Sequence, residues 1–301
     1  MNTTSFRRLD AAAGVDEVGL PSGVASTVTL FTPDSETVRA SGLLDRITPV
    51  LLTYNESPNI GRSLDQLRWA KDIVVVDSFS DDDTVAVAQS FPGVRVFKRR
   101  FDSHSDQWNF ALCETGIISE WILALDADYI LTDDGIKELG DTCPAPGVEG
   151  YRCQFTYCVN GKPLRGSAYP PVVVLYRREA AHYEQDGHSQ RVSVKGAVED
   201  LAAPILHDDR KSLAHWLWSQ SRYMQLEAHK LAEAGPGELG MPDQLRKLLF
   251  IAPFAVFFYC LVVKLAILDG WPGLYYAIQR MTAESILSLY LIEERIRQTI
   301  S

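Results

Sequence analysis

The sequence predicts an α/β protein: a mostly parallel, doubly wound (Rossmann-like) sheet flanked by helices, with a C-terminal helical, partly hydrophobic appendage. Three observations carry this. Short apolar runs alternate with helix-period segments from residue 47 to about 135, the pattern of successive β–α units. Two of these runs, Ile73-Val74-Val75-Val76-Asp77 and Trp121-Ile122-Leu123-Ala124-Leu125-Asp126, end abruptly in an acid, as buried strands do where they open into loops. Further on, residues 248–263 read LLFIAPFAVFFYCLVV without a polar break.

Taken in order, Ile47 to Leu52 is a first strand. A helix follows, with Ser57 as its expected N-cap, Pro58 in its first turn and Ile60, Leu64 and Leu67 on one face. Ile73–Asp77 is the second strand, and Asp82 or Asp83 suits the cap of the next helix, whose Val85 and Ala88 turn inward. Val94–Phe97 is the third strand. Trp108, Ala111 and Leu112 mark another helix, and Trp121–Leu125 is the fourth strand. Tyr151–Cys158, Val172–Tyr176 and Gln190–Val194 are β-rich, with Asn160-Gly161 as a turn signal, and are expected to extend the same sheet. A long helix begins after Lys211, carrying Leu213, Trp216, Leu217, Tyr223 and Met224 at helical spacing.

The organisation expected is therefore a flexible extension over residues 1–45, rich in Thr, Ser, Gly and Asp, an α/β domain over 46–210, and a C-terminal helical region over 211–301. The apolar run admits a buried core helix, an interfacial segment or a full membrane span. It is slightly short for a span, which needs about 20 apolar residues. Pro253 is expected to kink it, and Arg246 and Lys247 at its start could meet anionic head groups. We favour the interfacial reading. A tight turn at residues 269–273 leads to a last amphipathic helix through Glu294.

The 301 residues carry a formal net charge of −10, which argues against nucleic acid as a partner. The cysteines at 113, 143, 153, 158 and 260 are odd in number and show no pairing or zinc spacing. We read them as reduced thiols, and the polar stretch Met1–Val18 as lacking a signal peptide. Both point to a cytoplasmic protein, peripheral or monotopic on the inner face of the membrane.

Side chains alternate along a strand, so Asp126 and Asp128 project to the same side at its carboxyl end, where open α/β sheets bind ligands. Two carboxylates there can hold a hard divalent cation, and the cation a diphosphate. The competing role is a solvated strand exit, since aspartate is common in turns.

At this point the residues match a family. Leu52-Thr53-Tyr54-Asn55-Glu56, the stretch from Val75 to Thr84, Gln107-Trp108-Asn109-Phe110-Ala111-Leu112 and Asp126-Ala127-Asp128 fall in order at the ends of successive elements. Together they resemble the family 2 glycosyltransferases of GT-A fold, and among them the bacterial enzymes of lipopolysaccharide cores and other cell-surface glycans. The likeness is strong over residues 47–135 and looser over 150–230.

The resemblance implies an inverting transfer from a nucleotide-diphospho-sugar, most naturally a UDP-sugar, to a hydroxyl of a glycan or lipid-linked acceptor at a membrane surface, with Mn2+ or Mg2+. On it, Thr53, Asn55, Glu56, Asp77, Gln107, Asn109, Asp126 and Arg210 bind the nucleotide-sugar, with Lys211 beside Arg210 at the diphosphate. Asp128 and His207 hold the metal, and Asp186 in Glu184-Gln185-Asp186-Gly187-His188 is the base, with Glu184 as competitor and His188 in support. Each has a plainer role: Asn55 and Glu56 as helix-start residues, Asp77 as a turn cap, Asp186-Gly187 as a turn, Asp208 and Asp209 beside a helix dipole. The chain departs from the family in carrying Tyr129 where a glutamate often follows the acid pair. It also lacks a QxxRW string, which implies single-sugar transfer. The alternatives are a dehalogenase-like phosphotransferase, disfavoured because its acid pair follows the first core strand, and a non-catalytic membrane-surface scaffold.

Overall fold

In the computed structural model, the strands β1 (Ile47–Thr53), β2 (Ile73–Asp77), β3 (Val94–Lys98) and β4 (Trp121–Asp126) form where the apolar runs predict them. Residues 42–166, 168–186, 189–235 and 239–300 are described, with backbone alone for Gln185, Asp186, Ser189, Pro242 and Ile300. The extension expected over 1–45 therefore lies outside the described residues as far as residue 41.

The pattern of burial along the strands explains the sheet. Ile47 and Leu51 of β1 and Leu123 and Leu125 of β4 pack with Ile60 and Leu64 of α1 (Ile60–Asp65), and with Leu67 just beyond it, on one face. Val50, Ile122 and Ala124 pack on the other with Trp108, Ala111 and Leu112 of α3 (His104–Glu114). Both faces are covered, so the strands are apolar throughout and parallel. The remaining helix of this half, α2 (Thr84–Gln89), buries Ala88 as expected, while the Asp82 carboxylate accepts from Thr84 N at 2.9 Å.

The helix α1 starts later than Ser57 predicts. The Glu56 carbonyl accepts from both Asn59 N and Ile60 N, while Ser57 N donates to the Asp82 carboxylate at 3.1 Å. Asn59, not Ser57, thus precedes the first helical residue.

The chain then runs through β5 (Tyr129–Ile130), α4 (Asp133–Asp141), β6 (Val148–Cys153), β7 (Phe155–Val159), β8 (Lys162–Pro163), β9 (Val172–Arg177), β10 (Ala181–Asp186), β11 (Ser189–Val194), β12 (Ala197–Asp200) and β13 (Ile205–His207). Among the described residues the main sheet has the order β12-β6-β9-β4-β1-β2-β3. Only β9 runs against its neighbours β4 and β6.

The expectation that the second half extends one sheet holds for β6, β9 and β12. It fails for β7, β8, β5 and β13, which make a separate sheet in the order β5-β13-β7-β8, and for the β10–β11 hairpin. The break between β6 and β7 falls at Gln154, after which the chain leaves β9 and pairs with β13. Asn160 and Gly161 take φ of 50° and 79° between β7 and β8, the left-handed pair that a two-residue hairpin needs.

The C-terminal helices are α5 (Leu213–Glu233), α6 (Met241–Arg246), α7 (Ile251–Phe258) and α8 (Trp271–Ile300). Ser212 caps α5 through its hydroxyl to His215 N. Met224, Ala228 and Leu231 of α5 pack on Ala283, Leu287 and Leu291 of α8. Arg246 ties the two helices at 3.0 Å to Glu227 and 3.1 Å to Glu284.

The apolar run is not one helix, and Pro253 does not break it. Pro253 occupies the first turn of α7, where its missing N–H costs no intrahelical bond. The interruption comes later, in a π-helical turn at Tyr259–Val263 and at Leu265, whose φ is 58°. No helix among the described residues is long and apolar enough to cross a membrane. The segment instead leaves a face of Phe250, Phe254, Phe258, Val263, Ile267 and Trp271 exposed, Phe250 by 73% and Trp271 by 83%.

Candidate active site

The register of the central strands assembles the site. Thr53 lies opposite Asp77, and Leu52 lies opposite Asp126. The three residues thus stand within one residue step at the carboxyl ends of β1, β2 and β4, with about 10 Å across the two strand spacings. Here β2 and β4 leave β1 on opposite sides, the crevice where such sheets take ligands.

Asp77 is fully buried and anchors the far side. Its carboxylate accepts from Thr53 Oγ1 at 3.0 Å and from Ser80 N at 2.9 Å. Asn55, at φ 54°, accepts from Asp81 N at 3.0 Å through Oδ1. Gln107 donates to Ser78 Oγ at 2.8 Å and accepts from Arg99 at 2.6 Å. Asn55, Asp77 and Gln107 therefore all brace the β2–α2 loop. Asn109 faces elsewhere: its amide accepts from Tyr183 N at 3.1 Å and donates to Tyr183 O at 2.9 Å. It thereby fastens β10, the strand that ends in Asp186, to α3.

The near side gathers the acid pair. The strand β13 pairs with β5 so that His207 lies opposite Tyr129, and with β7 so that it lies opposite Tyr157. His207 Nε2 is 3.1 Å from Asp128 Oδ2. The rings of Tyr129, Tyr157 and Tyr169 surround it at 5.2, 5.0 and 5.3 Å. Tyr129, the departure from the family pattern, turns inward and shares a 2.9 Å hydrogen bond with Tyr169.

The electrostatics follow from this crowding. Burial pushes the Asp126 carboxyl up to about 6, and the charge of Asp128 adds to it. Burial would raise Asp128 too, but His207 holds it below the usual carboxylate range. Burial likewise opposes a charged imidazole, yet Asp128 raises His207.

Glu56 and Lys211 meet at 2.5 Å beside the acid pair. Burial pushes Glu56 up to about 7 against the pull of Lys211, while Glu56 and Asp209 hold Lys211 charged against its own burial. Arg210 points away. It donates to Asp208, which also receives Arg62 at 2.7 Å and Gly161 N at 2.8 Å. Of the adjacent basic residues, Lys211 thus lies at the carboxylates and Arg210 serves the Asp208 junction.

The side chain of Asp186 lies outside the description, as does His188; Asp186 itself ends β10, its backbone opposite Ser189. Among the described residues no three His, Cys, Asp or Glu groups stand close enough to hold a metal ion as the side chains are arranged. The donors are nevertheless right in kind. Asp128 offers a carboxylate, His207 an imidazole whose Nδ1 is buried without a partner, and Asp126 a second carboxylate alongside. Sequence reading missed Tyr157 and Tyr169, because neither a tyrosine within a strand nor one in the loop between β8 and β9 gives any sign of lining a site rather than a core.

Comparison with known proteins agrees with this geometry. Residues 49–190 match Glycosyl transferase family 2. An uncharacterised glycosyltransferase of Rickettsia conorii is 35% identical over 100 residues, which is 33% of this chain and 33% of that protein. The match thus spans about a third of that relative's length. The lipopolysaccharide core biosynthesis glycosyltransferase LpsC of Rhizobium meliloti is 26% identical over 205 residues, 63% of this chain and 73% of LpsC. A crystal structure of S. aureus TarS in complex with UDP-GlcNAc aligns over 84% of this chain and 92% of that one, at 14% identity and a TM-score of 0.43. Residues 49–190 are thus similar to glycosyl transferase family 2, and that segment holds the parallel strands β1 to β4 with their carboxyl-end acids.

Proposed function

We propose that the protein moves a single sugar from a nucleotide-diphospho-sugar, a UDP-sugar foremost, to a hydroxyl of a glycan or lipid-linked acceptor in cell-envelope glycan synthesis, with inversion. The observation that carries this is the strand register that sets Thr53, Asp77 and Asp126 along one sheet edge, with Asp128 two residues on beside His207, within the segment matched to the family.

The chemistry divides among the residues as follows. Asp77 and Thr53, with the loop braced by Asn55 and Gln107, border the base and ribose, whose N–H and hydroxyls a carboxylate accepts. Asp126 would touch the ribose or metal-bound water. Asp128 and His207 would hold Mn2+ or Mg2+, and the ion would supply positive charge against the departing diphosphate. The acceptor oxygen bonds to the anomeric carbon opposite the leaving group, and the bond from that carbon to phosphate oxygen breaks with its electrons on the diphosphate. The acceptor proton passes to a carboxylate, for which we propose Asp186 on β10. Lys211 keeps Glu56 paired next to the acids. The exposed apolar face from Phe250 to Trp271 supports work on the membrane surface, where lipid-linked acceptors reside.

The test is nucleoside-diphosphate release from a panel of UDP- and GDP-sugars, with and without Mn2+. Asp186→Asn is expected to abolish transfer and leave donor binding nearly intact; Asp128→Ala is expected to weaken metal-dependent donor binding. Phosphomonoester hydrolysis without nucleotide, or nucleotide binding with no turnover by the unmodified chain and any acceptor fraction, would replace this reading.

A further inference from the structure

We propose that Arg280 of α8 binds a phosphate group of the substrate at the rim of the Asp128–His207 centre, so that the C-terminal helix completes the site. The inference rests on the reading of that centre as a diphosphate site.

The geometry runs outward from His207. The Tyr157 ring lies 5.0 Å from His207 and 4.8 Å from Tyr276 of α8. Tyr276 is buried and locked, its hydroxyl accepting from Ala168 N at 2.9 Å. Arg280 stands one turn further along the same face of the helix. Its guanidinium acts on the phenols of Tyr157 and Tyr169, and both rings pack on His207. The positive charge therefore lies beside the two tyrosines that pack on His207.

This guanidinium lacks what every comparable one has. Arg62, Arg177, Arg178 and Arg280 each bury an Nε with no hydrogen-bond partner. The first three place another guanidinium nitrogen on the carboxylates of Asp208, Glu120 and Glu179. Arg280 makes no ion pair among the described residues, although the chain holds 39 acidic residues against 29 basic. A half-buried guanidinium without a counter-charge is unfavourable, and the neighbouring phenols and Cys260 thiol supply none.

The nearby cations are already committed, Lys211 to Glu56 and Arg210 to Asp208. An incoming phosphate meets carboxylates at 126 and 128, so it needs a cation on its other side. The planar guanidinium fork suits two phosphate oxygens at once. The phosphate belongs either to the donor's diphosphate or to a phosphorylated acceptor.

Calorimetric titration of the full chain with inorganic pyrophosphate in Mg2+ tests this. Arg280→Gln is expected to bind at least tenfold more weakly than the unmodified chain, with an unchanged unfolding midpoint. Arg280→Lys, which keeps charge and stem but loses the fork, is expected to lose several-fold and carries the test if the glutamine variant does not fold. Equal pyrophosphate affinity in the folded variants, or no binding by the unmodified chain, overturns the proposal. If UDP displaces pyrophosphate and Arg280→Gln weakens UDP but not uridine, the phosphate is the donor's. If pyrophosphate binds UDP-saturated protein through Arg280, it is the acceptor's. Pyrophosphate binding that depends on Arg280, without any binding of UDP or GDP, would sink the nucleotide reading alone; nucleotide binding together with pyrophosphate binding that is indifferent to Arg280 would sink this one alone.

Discussion

Replacing Asn109 with leucine separates two roles for a residue that the family resemblance assigns to the nucleotide. In the structure its amide satisfies both backbone groups of Tyr183, accepting at 3.1 Å and donating at 2.9 Å, and Tyr183 is 5% exposed. Each neutral hydrogen bond contributes about 1 kcal/mol net, and a buried N–H or C=O left unsatisfied costs about 1–3 kcal/mol. Asn109 itself is half-buried, so water recovers part of that loss, and we expect about 2–3 kcal/mol of destabilisation. Urea unfolding measures it, and hydrogen exchange at the Tyr183 amide is expected to accelerate in parallel. Because β10 ends in Asp186, turnover is expected to fall while UDP affinity stays near that of the unmodified protein. Stability within about 0.5 kcal/mol of the parent, together with weakened UDP binding, would refute the structural role and restore Asn109 to the nucleotide.

Lys211→Met strands the Glu56 carboxylate, whose side chain is only 14% exposed. A loss of about 2–3 kcal/mol is expected, below the usual cost of breaking a fully buried pair, and Glu56→Gln combined with Lys211→Met is expected to recover most of it in a double-mutant cycle. At the apolar face, Phe254→Asp with Trp271→Asp is expected to abolish co-sedimentation with phosphatidylglycerol vesicles while leaving sugar transfer to a water-soluble acceptor analogue unchanged. Vesicle binding equal to that of the unmodified protein would remove the membrane from the account.

The parallel core was legible because each strand is a closed apolar run and each ends at a chemically marked residue. Thr53, Asp77 and Asp126 follow from the same signal, since a parallel register brings strand ends together. The Asp208 junction was not legible. Arg62 reaches it across 146 residues, and no local periodicity encodes which loop meets which helix. The inner ring of Tyr129, Tyr157 and Tyr169 escaped for a related reason: strand spacing says which side a tyrosine faces, not that β13 inserts between β5 and β7 with His207 in the middle. The hydrophobic run misled on Pro253 because hydropathy does not reveal where a helix begins. A proline in the first turn is harmless, while a left-handed leucine twelve residues later redirects the chain.

The bond between Arg62 and Asp208 has a further consequence for how the centre comes into being. Closing a loop of 146 residues carries an entropic penalty of about 4 kcal/mol, which local contacts near α1 cannot offset. During synthesis the sheet edge with its paired acids emerges well before His207, Asp208 and Lys211 leave the ribosome. Until those residues arrive, Asp128 lacks His207 and Glu56 lacks Lys211, so on the proposed reading the centre is complete only once the chain through Lys211 has emerged.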